Sequence, residues 1–153
     1  MLVREAMSAN VRVVNADTTV QEVAKIMKNE KIGSVIVTKE NDEVLGMVTE
    51  GTIIREIVAH GKSLETKVRE IMITNPHVIN PDRTLEEAAD LMRRKHVKRL
   101  PVVENDAIIG MITTTDLIAY EDKRVEKLAE MFVKDRMEAQ KPKGEVEMDD
   151  EDY

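Results

Sequence analysis

GMITTTD, residues Gly110 to Asp116, stands where an apolar run gives way to a helical pattern. A partial copy, GMVTEGT, occupies Gly46 to Thr52. The two share the glycine, the methionine and the first threonine, and only the second ends in a carboxylate. Working outward, the match extends over most of the chain. VREAMSANVRVVNADTTVQEVAKIMKNEKIGSVIV starts at Val3 and VREIMITNPHVINPDRTLEEAADLMRRKHVKRLPVV at Val68, an offset of 68 − 3 = 65. Past the next turn, Gly46 matches Gly110 at 110 − 46 = 64, so the second copy lacks one residue there. Turns are where a duplicated fold best tolerates such a loss.

Each copy predicts the same series of elements. A short helix, Val3–Met7 or Val68–Met72, leads into a short strand, Val11–Val14 or His77–Ile79. Thr19 and Thr84 are N-cap candidates for the helix that follows, with Glu22 and Glu87 at the capping-box spacing. Apolar residues then recur at Val20, Val23, Ala24 and Met27, and at Leu85, Ala88, Ala89 and Met92, the stripe of an amphipathic helix. Two β-rich runs flank a polar turn: Ser34–Thr38 with Val44–Thr49, and Leu100–Val103 with Ile108–Thr113. A closing helix starts near Gly51 and near Thr114. The methionine pairs Met7/Met72, Met27/Met92 and Met47/Met111 read as repeated core positions rather than a methionine-rich partner groove. One copy is too small to close a core, so residues 1–122 are expected to form one pseudo-twofold α+β unit, its two β-α-β-β-α copies packed through their sheets.

Composition bounds the function. The chain has 153 residues, a net charge of −7 and no cysteine, so disulfides, thiolate metal sites and a cysteine nucleophile are excluded. Residues 141–153 hold six acids and two lysines, leaving −7 − (−4) = −3 for the rest. That balance argues against nonspecific nucleic-acid binding. The opening MLVREAM carries charges and no long apolar run, which predicts no signal peptide, no membrane span and a cytoplasmic protein. His60, His77 and His96 are not at metal-ligand spacing, and no local signature of a catalytic triad is present.

The repeated frame, VREIM, then D-x-T with an apolar helix, then RLPVV, then GMITTTD, resembles a tandem pair of CBS domains, a Bateman module. The resemblance covers repeat 1 at residues 1–62 and repeat 2 at 66–122. It leaves a helical extension at 123–140 and an acidic tail at 141–153 expected to lack fixed structure. Such pairs are regulatory rather than catalytic. They bind adenosine-containing ligands (AMP, ADP, ATP or S-adenosylmethionine) in clefts between the repeats. Similar repeats are inserted in inosine monophosphate dehydrogenase, but this chain has no barrel-sized segment and no catalytic cysteine.

Residue chemistry agrees with that implication at Asp116. Thr113 and Thr115 offer hydroxyls to an anion at a helix start, and a carboxylate can accept from both hydroxyls of a ribose. The alternative is that Thr113 or Thr114 caps the helix and Asp116 complements its dipole. By the family pattern, Met7, Asn10, Arg12, Ile32 and Gly33 supply the base pocket of this cleft, and Lys98 and Arg99 face its phosphate. Arg93, Arg94 and Lys95 read as a solvated helix end. The second cleft is expected to be weakened. Thr52 replaces the ribose-binding Asp, beside Thr49, Glu50, His77 and Val97, and Gly33 and Ser34 stand where the other copy has Lys98 and Arg99. The broad apolar face of Thr52–His60 and the extension through Phe132 to about Met137 predict a disk-like homodimer. No effector is fused, so a separate partner protein is implied.

Overall fold

In a computed structural model the described residues are 1–120, 130, 131 and 133. Met1–Leu117 form one compact unit and Ile118–Tyr153 a second. In the second unit, residues 130, 131 and 133 are helical. The rest of the expected extension, and the whole acidic tail, lie outside the described residues.

The first copy supplies α1 (Val3–Ala6), β1 (Val13–Asn15), α2 (Val20–Glu30), β2 (Ser34–Thr38), β3 (Val44–Thr49) and α3 (Glu50–Ile53), which runs on as a π-helical turn, Ile54–Val58. The second supplies a 3₁₀ turn (Val68–Glu70), β4 (Ile73–Thr74), α4 (Leu85–Lys95), β5 (Arg99–Glu104), β6 (Ala107–Thr113) and α5 (Thr114–Ala119). Local chemistry accounts for the boundaries. Thr19 caps α2 in a reciprocal box: its hydroxyl accepts from Glu22 N at 3.2 Å, and Glu22 Oε2 accepts from Thr19 N at 2.9 Å. Thr84 caps α4 in the same way at 3.1 Å, but Glu87 does not reach back, its carboxylate lying beside the Arg83 guanidinium at 3.4 Å instead. The missing residue falls in the hairpin turn. Glu40–Asp42 make the first, whereas Asn105 and Asp106, both at positive φ, make a two-residue turn in the second.

The first sheet runs β1-β2-β3-β4, with β1 parallel to β2 and the other pairs antiparallel. The second sheet repeats this order with its outer strands reduced to single bridges, Ile79 on Val102 and Ser8 on Met111, around the β5–β6 hairpin. The strand expected at His77–Ile79 therefore shrinks to Ile79, and Pro101 explains it. In the first copy Ile36 N donates to Arg12 O at 2.9 Å, and Pro101, its counterpart, has no N–H to donate.

Side chains alternate across the hairpins with the period of a strand. Val35, Val37 and Val48 join Val20, Val23 and Met27 of α2 in one core. Leu100, Val102 and Ile112 join Ala88 and Met92 of α4 in another. The opposite faces meet through Ile36, Met47 and Met111, the expected packing of sheet on sheet. The lead-in segments cross between copies. Val3 and Ala6 are buried in the core of α4, while Val68 and Ile71 are buried in the core of α2.

Each crossing strand lies against a glycine of the repeated motif. A Cβ on Gly46 would stand 2.4 Å from Ile73 O, and one on Gly110 would stand 2.8 Å from Ser8 O and 2.6 Å from Met7 Sδ. The glycine of GMVTEGT and GMITTTD is thus required by close approach of the exchanged chain.

Candidate functional site

A cavity of about 440 Å³ opens between the copies. One wall is the β6–α5 junction, Thr113 to Asp116, with Met111 below it. The other wall comes from the first copy, at Asn10 to Arg12 and at Lys31 to Ser34, and Lys98 and Arg99 complete the rim. Of the residues named from the sequence, Asn10, Arg12, Ile32, Gly33, Lys98, Arg99, Thr113, Thr115 and Asp116 meet here. Met7 is outside the lining: it is half-buried against the core of α4 with its sulfur over Gly110, and its neighbour Ser8 lines the cavity instead. Val11 and Lys31 also line it and were not singled out from the sequence, while Ser34 was assigned to the second cleft and Thr114 only to a helix cap. Lys31 is the C-cap of α2, directly before Ile32, a helix end that the sequence alone does not place on the cleft.

The Asp116 carboxylate has two unequal oxygens. Oδ2 accepts from Thr113 N at 2.9 Å and from the Thr113 hydroxyl at 3.0 Å, and Asp116 N donates back to that hydroxyl at 3.3 Å. Oδ1 has no hydrogen-bond partner among the described residues. Asp116, which lines the cavity, therefore caps its helix through one oxygen and leaves the other without a partner among the described residues. Its counterpart shows what capping alone requires. The Thr52 hydroxyl accepts from Thr49 N at 3.3 Å and lies 2.9 Å from the Thr49 hydroxyl, and Thr52 N donates to Thr49 at 3.1 Å. Thr52 is 3% exposed, so its hydroxyl is spent inside the protein. Of the other residues expected around it, His77 is exposed, Val97 half-buried and Thr49 half-buried.

The cavity is basic within an acidic protein. Arg12, Lys31, Lys98 and Arg99 line it, against the single carboxylate of Asp116. Arg12 pairs with Glu30 at 3.1 Å. The Arg99 guanidinium lies across Gly33: Nη1 and Nη2 are 2.8 and 2.9 Å from the point a Cβ would occupy, and Glu50 Oε1 is 2.8 Å from the same point. A side chain at 33 would displace the guanidinium. The neighbouring cations behave differently. Arg93 and Arg94 each bond Asp90 at 2.8 Å, and these hydrogen bonds, Arg93 first and Arg94 second, hold its carboxyl below the usual carboxylate range. They form the solvated helix end expected of them. Among the described residues no group of three or more His, Asp or Glu side chains could hold a metal ion, and no helix is long and apolar enough to cross a membrane.

Fold and cleft together define a module of two tandem repeats with a cavity between its copies. The CBS-domain family model matches residues 3–59 and again 68–123. A CBS domain-containing protein of Bacillus subtilis, YhcV, is 33% identical over 115 residues, covering 75% of this chain and 81% of that one. An uncharacterized conserved protein from Pyrococcus horikoshii superposes with a TM-score of 0.76 at 26% identity, covering 79% of this chain and 93% of that one. A hexameric CBS-CP12 protein from bloom-forming cyanobacteria superposes with a TM-score of 0.72 at 31% identity, covering 91% and 81%. The chain belongs to the CBS-domain family, whose tandem domains are usually regulatory ligand-binding modules.

Proposed function

We propose that the protein is a cytoplasmic, non-catalytic sensor that binds an adenosine-containing ligand, AMP, ADP, ATP or S-adenosylmethionine, in the Asp116 cleft and relays occupancy to a separate partner protein. The observation that carries this reading is the difference between Asp116 and Thr52. Both close the same cap, a hydroxyl sufficing at Thr52, so the unpartnered Oδ1 of Asp116 is surplus to the cap. An oxygen that accepts two hydrogen bonds, set beside a basic rim in a protein of net charge −7, suits a ribose with its attached phosphate. Thr113 and Thr115 add hydroxyls, Asn10, Arg12, Ile32 and Gly33 offer short backbone edges and an apolar contact to the base, and Lys98 and Arg99 take the phosphate. The first copy lacks the carboxylate at Thr52, so one ligand per chain is the expected stoichiometry.

Relay requires that the ligand bind two arrangements of the protein with different affinity. Because each copy holds the other's lead-in strand, a ligand bridging both walls strains the pair as one body. Ile54 and Val58, exposed on the π-helical turn at 60% and 66%, provide the apolar face for a homodimer or a partner. Isothermal titration of the full chain against the four ligands tests the reading. Saturable binding that Asp116→Thr weakens about tenfold to a hundredfold supports it. Silence with all four overturns it in favour of an interaction module that has lost its ligand.

A further inference from the structure

We infer that the first copy holds a second ligand site, apart from the Asp116 cleft, where Arg69 takes the carboxylate of a small organic acid. The site shares no lining residue with that cleft and does not rest on the adenosine reading. The duplication shows what the arginine is placed to hold. In the second copy Arg4 is clamped by two carboxylates: Nε donates to Asp82 Oδ1 at 3.0 Å and Nη2 to Glu104 Oε2 at 2.6 Å. At the repeat offset of 65 the counterparts are Arg69, Asp17 and Lys39. Arg69 pairs with Asp17, as Arg4 does with Asp82. The third member has changed sign. Lys39 pairs with Glu43 at 3.4 Å instead, and Arg69 meets no second carboxylate among the described residues. The clamp of the second copy sums to 1 − 1 − 1 = −1 and its counterpart to 1 − 1 + 1 = +1. Lys67, Glu43 and Glu40 stand beside the first, where the second has the uncharged Leu2, Ala107 and Asn105, and bring it to 1 + 1 − 2 = 0. One bound carboxylate returns the first copy to the −1 that the second holds from its own residues.

A cavity of about 650 Å³ lies at this spot, room for a small molecule rather than a lone ion. Arg69 and Asp17 both line it, so their pair fixes the guanidinium at its wall. The side chains around them have donors left over. Asn15 Oδ1 accepts from Asp17 N at 2.7 Å and Asn41 Oδ1 from Glu43 N at 3.3 Å, which leaves both amide NH2 groups without a partner among the described residues. Thr38 stands where the second copy has Val103, and its hydroxyl is unpartnered among the described residues although the residue is only 8% exposed. Ala16 and Leu45 add apolar surface for the body of the ligand. The turn that carries Asn41 is one residue longer in this copy, so the residue that the second copy lacks falls on the rim of the cavity. An arginine short of one carboxylate, among spare donors, is matched to a carboxylate, which accepts paired hydrogen bonds from a guanidinium.

The experiment follows the backbone amide NMR shifts of the full chain during titration with acetate, succinate, citrate and inorganic phosphate at constant pH and ionic strength, for wild type, Lys39→Glu and Lys39→Ala. Lys39→Glu rebuilds the clamp of the second copy, so it should fold, which thermal unfolding checks. In the wild type, succinate or citrate should saturate shifts at Asn15–Asp17, Thr38–Asn41 and Arg69 with a Kd of about 1 mM or below. Lys39→Glu should weaken this binding about tenfold or more, because its own carboxylate fills the seat on Arg69. Lys39→Ala adds no carboxylate and should bind within about threefold of wild type. An equal loss in both variants assigns the acid to Lys39 alone and overturns the inference. Unchanged affinity in Lys39→Glu, or tighter binding of phosphate than of any carboxylate, overturns it as well. So does the absence of a saturable shift at these residues, or a shift confined to Lys98, Arg99 and Thr113–Asp116, which would move the acid to the other cleft. None of these results bears on the adenosine reading, which the nucleotide titration tests separately.

Discussion

At the scale of single residues, the comparison between Asp116 and Thr52 separates folding from function within one chain. Both side chains complete a capping box with the preceding threonine, Thr113 or Thr49. Asp116→Thr therefore imports a cap that the protein already uses. Thermal unfolding should place this variant within about 0.5 kcal/mol of wild type, while nucleotide affinity falls about tenfold to a hundredfold, the worth of hydrogen bonds to a charged group. A variant that unfolds as easily as it loses ligand would instead assign the carboxylate to the fold. The sequence made this residue legible because the duplication supplied an internal control. It could not show that one carboxylate oxygen serves the helix and the other is left unpartnered, because that division depends on the rotamer. Lys31 went unread for a related reason. Its position after the last apolar residue of α2 marks a helix end, and only the structure shows that this corner lies on the cavity wall.

At the scale of elements, the repeated glycines report an exchange of chain between the copies. Gly46 faces Ile73 O and Gly110 faces Ser8 O, so each motif is shaped by the lead-in strand of the other copy. Gly46→Ala drives a Cβ to 2.4 Å of a carbonyl oxygen that cannot swing away. Chemical denaturation should show a loss of about 1–3 kcal/mol, the usual cost of overpacking. At Gly110 the nearest group is the flexible Met7 sulfur, with the Ser8 carbonyl next, so Gly110→Ala should cost less than Gly46→Ala. A neutral result at Gly46 would mean that β4 does not seat on β3 in solution. Helices and hairpins were legible from periodicity and caps, since α2, β2 and β3 follow the apolar pattern residue by residue. The outer strands were not. Two or three residues carry too little pattern to fix a register, and the loss of a strand at His77–Ile79 follows from one missing N–H at Pro101, on a different segment. The π-helical turn at Ile54–Val58 was likewise hidden: the apolar face reads as one broad stripe, but Ile57 turns into the core and Ile54 and Val58 face outward.

At the scale of the whole molecule, the exchanged lead-ins make the pair of repeats the unit of folding, and the proposed ligand would act in the cleft between them. Outward-facing Ile54 and Val58 are the apolar surface proposed for association of that unit. The paired substitution Ile54→Glu with Val58→Glu should shift the sedimenting species to a monomer without lowering the melting temperature, because neither side chain packs in the core. A variant that keeps the wild-type sedimentation coefficient would move the interface elsewhere. The central claim is that duplication left one working site out of two. Its most direct measurement is the stoichiometry of nucleotide binding by isothermal titration, on wild type and on Asp116→Thr. One ligand per chain for the wild type, bound about tenfold to a hundredfold more weakly by the variant, is the predicted result. Two ligands per chain, or an affinity unchanged by Asp116→Thr, would contradict it.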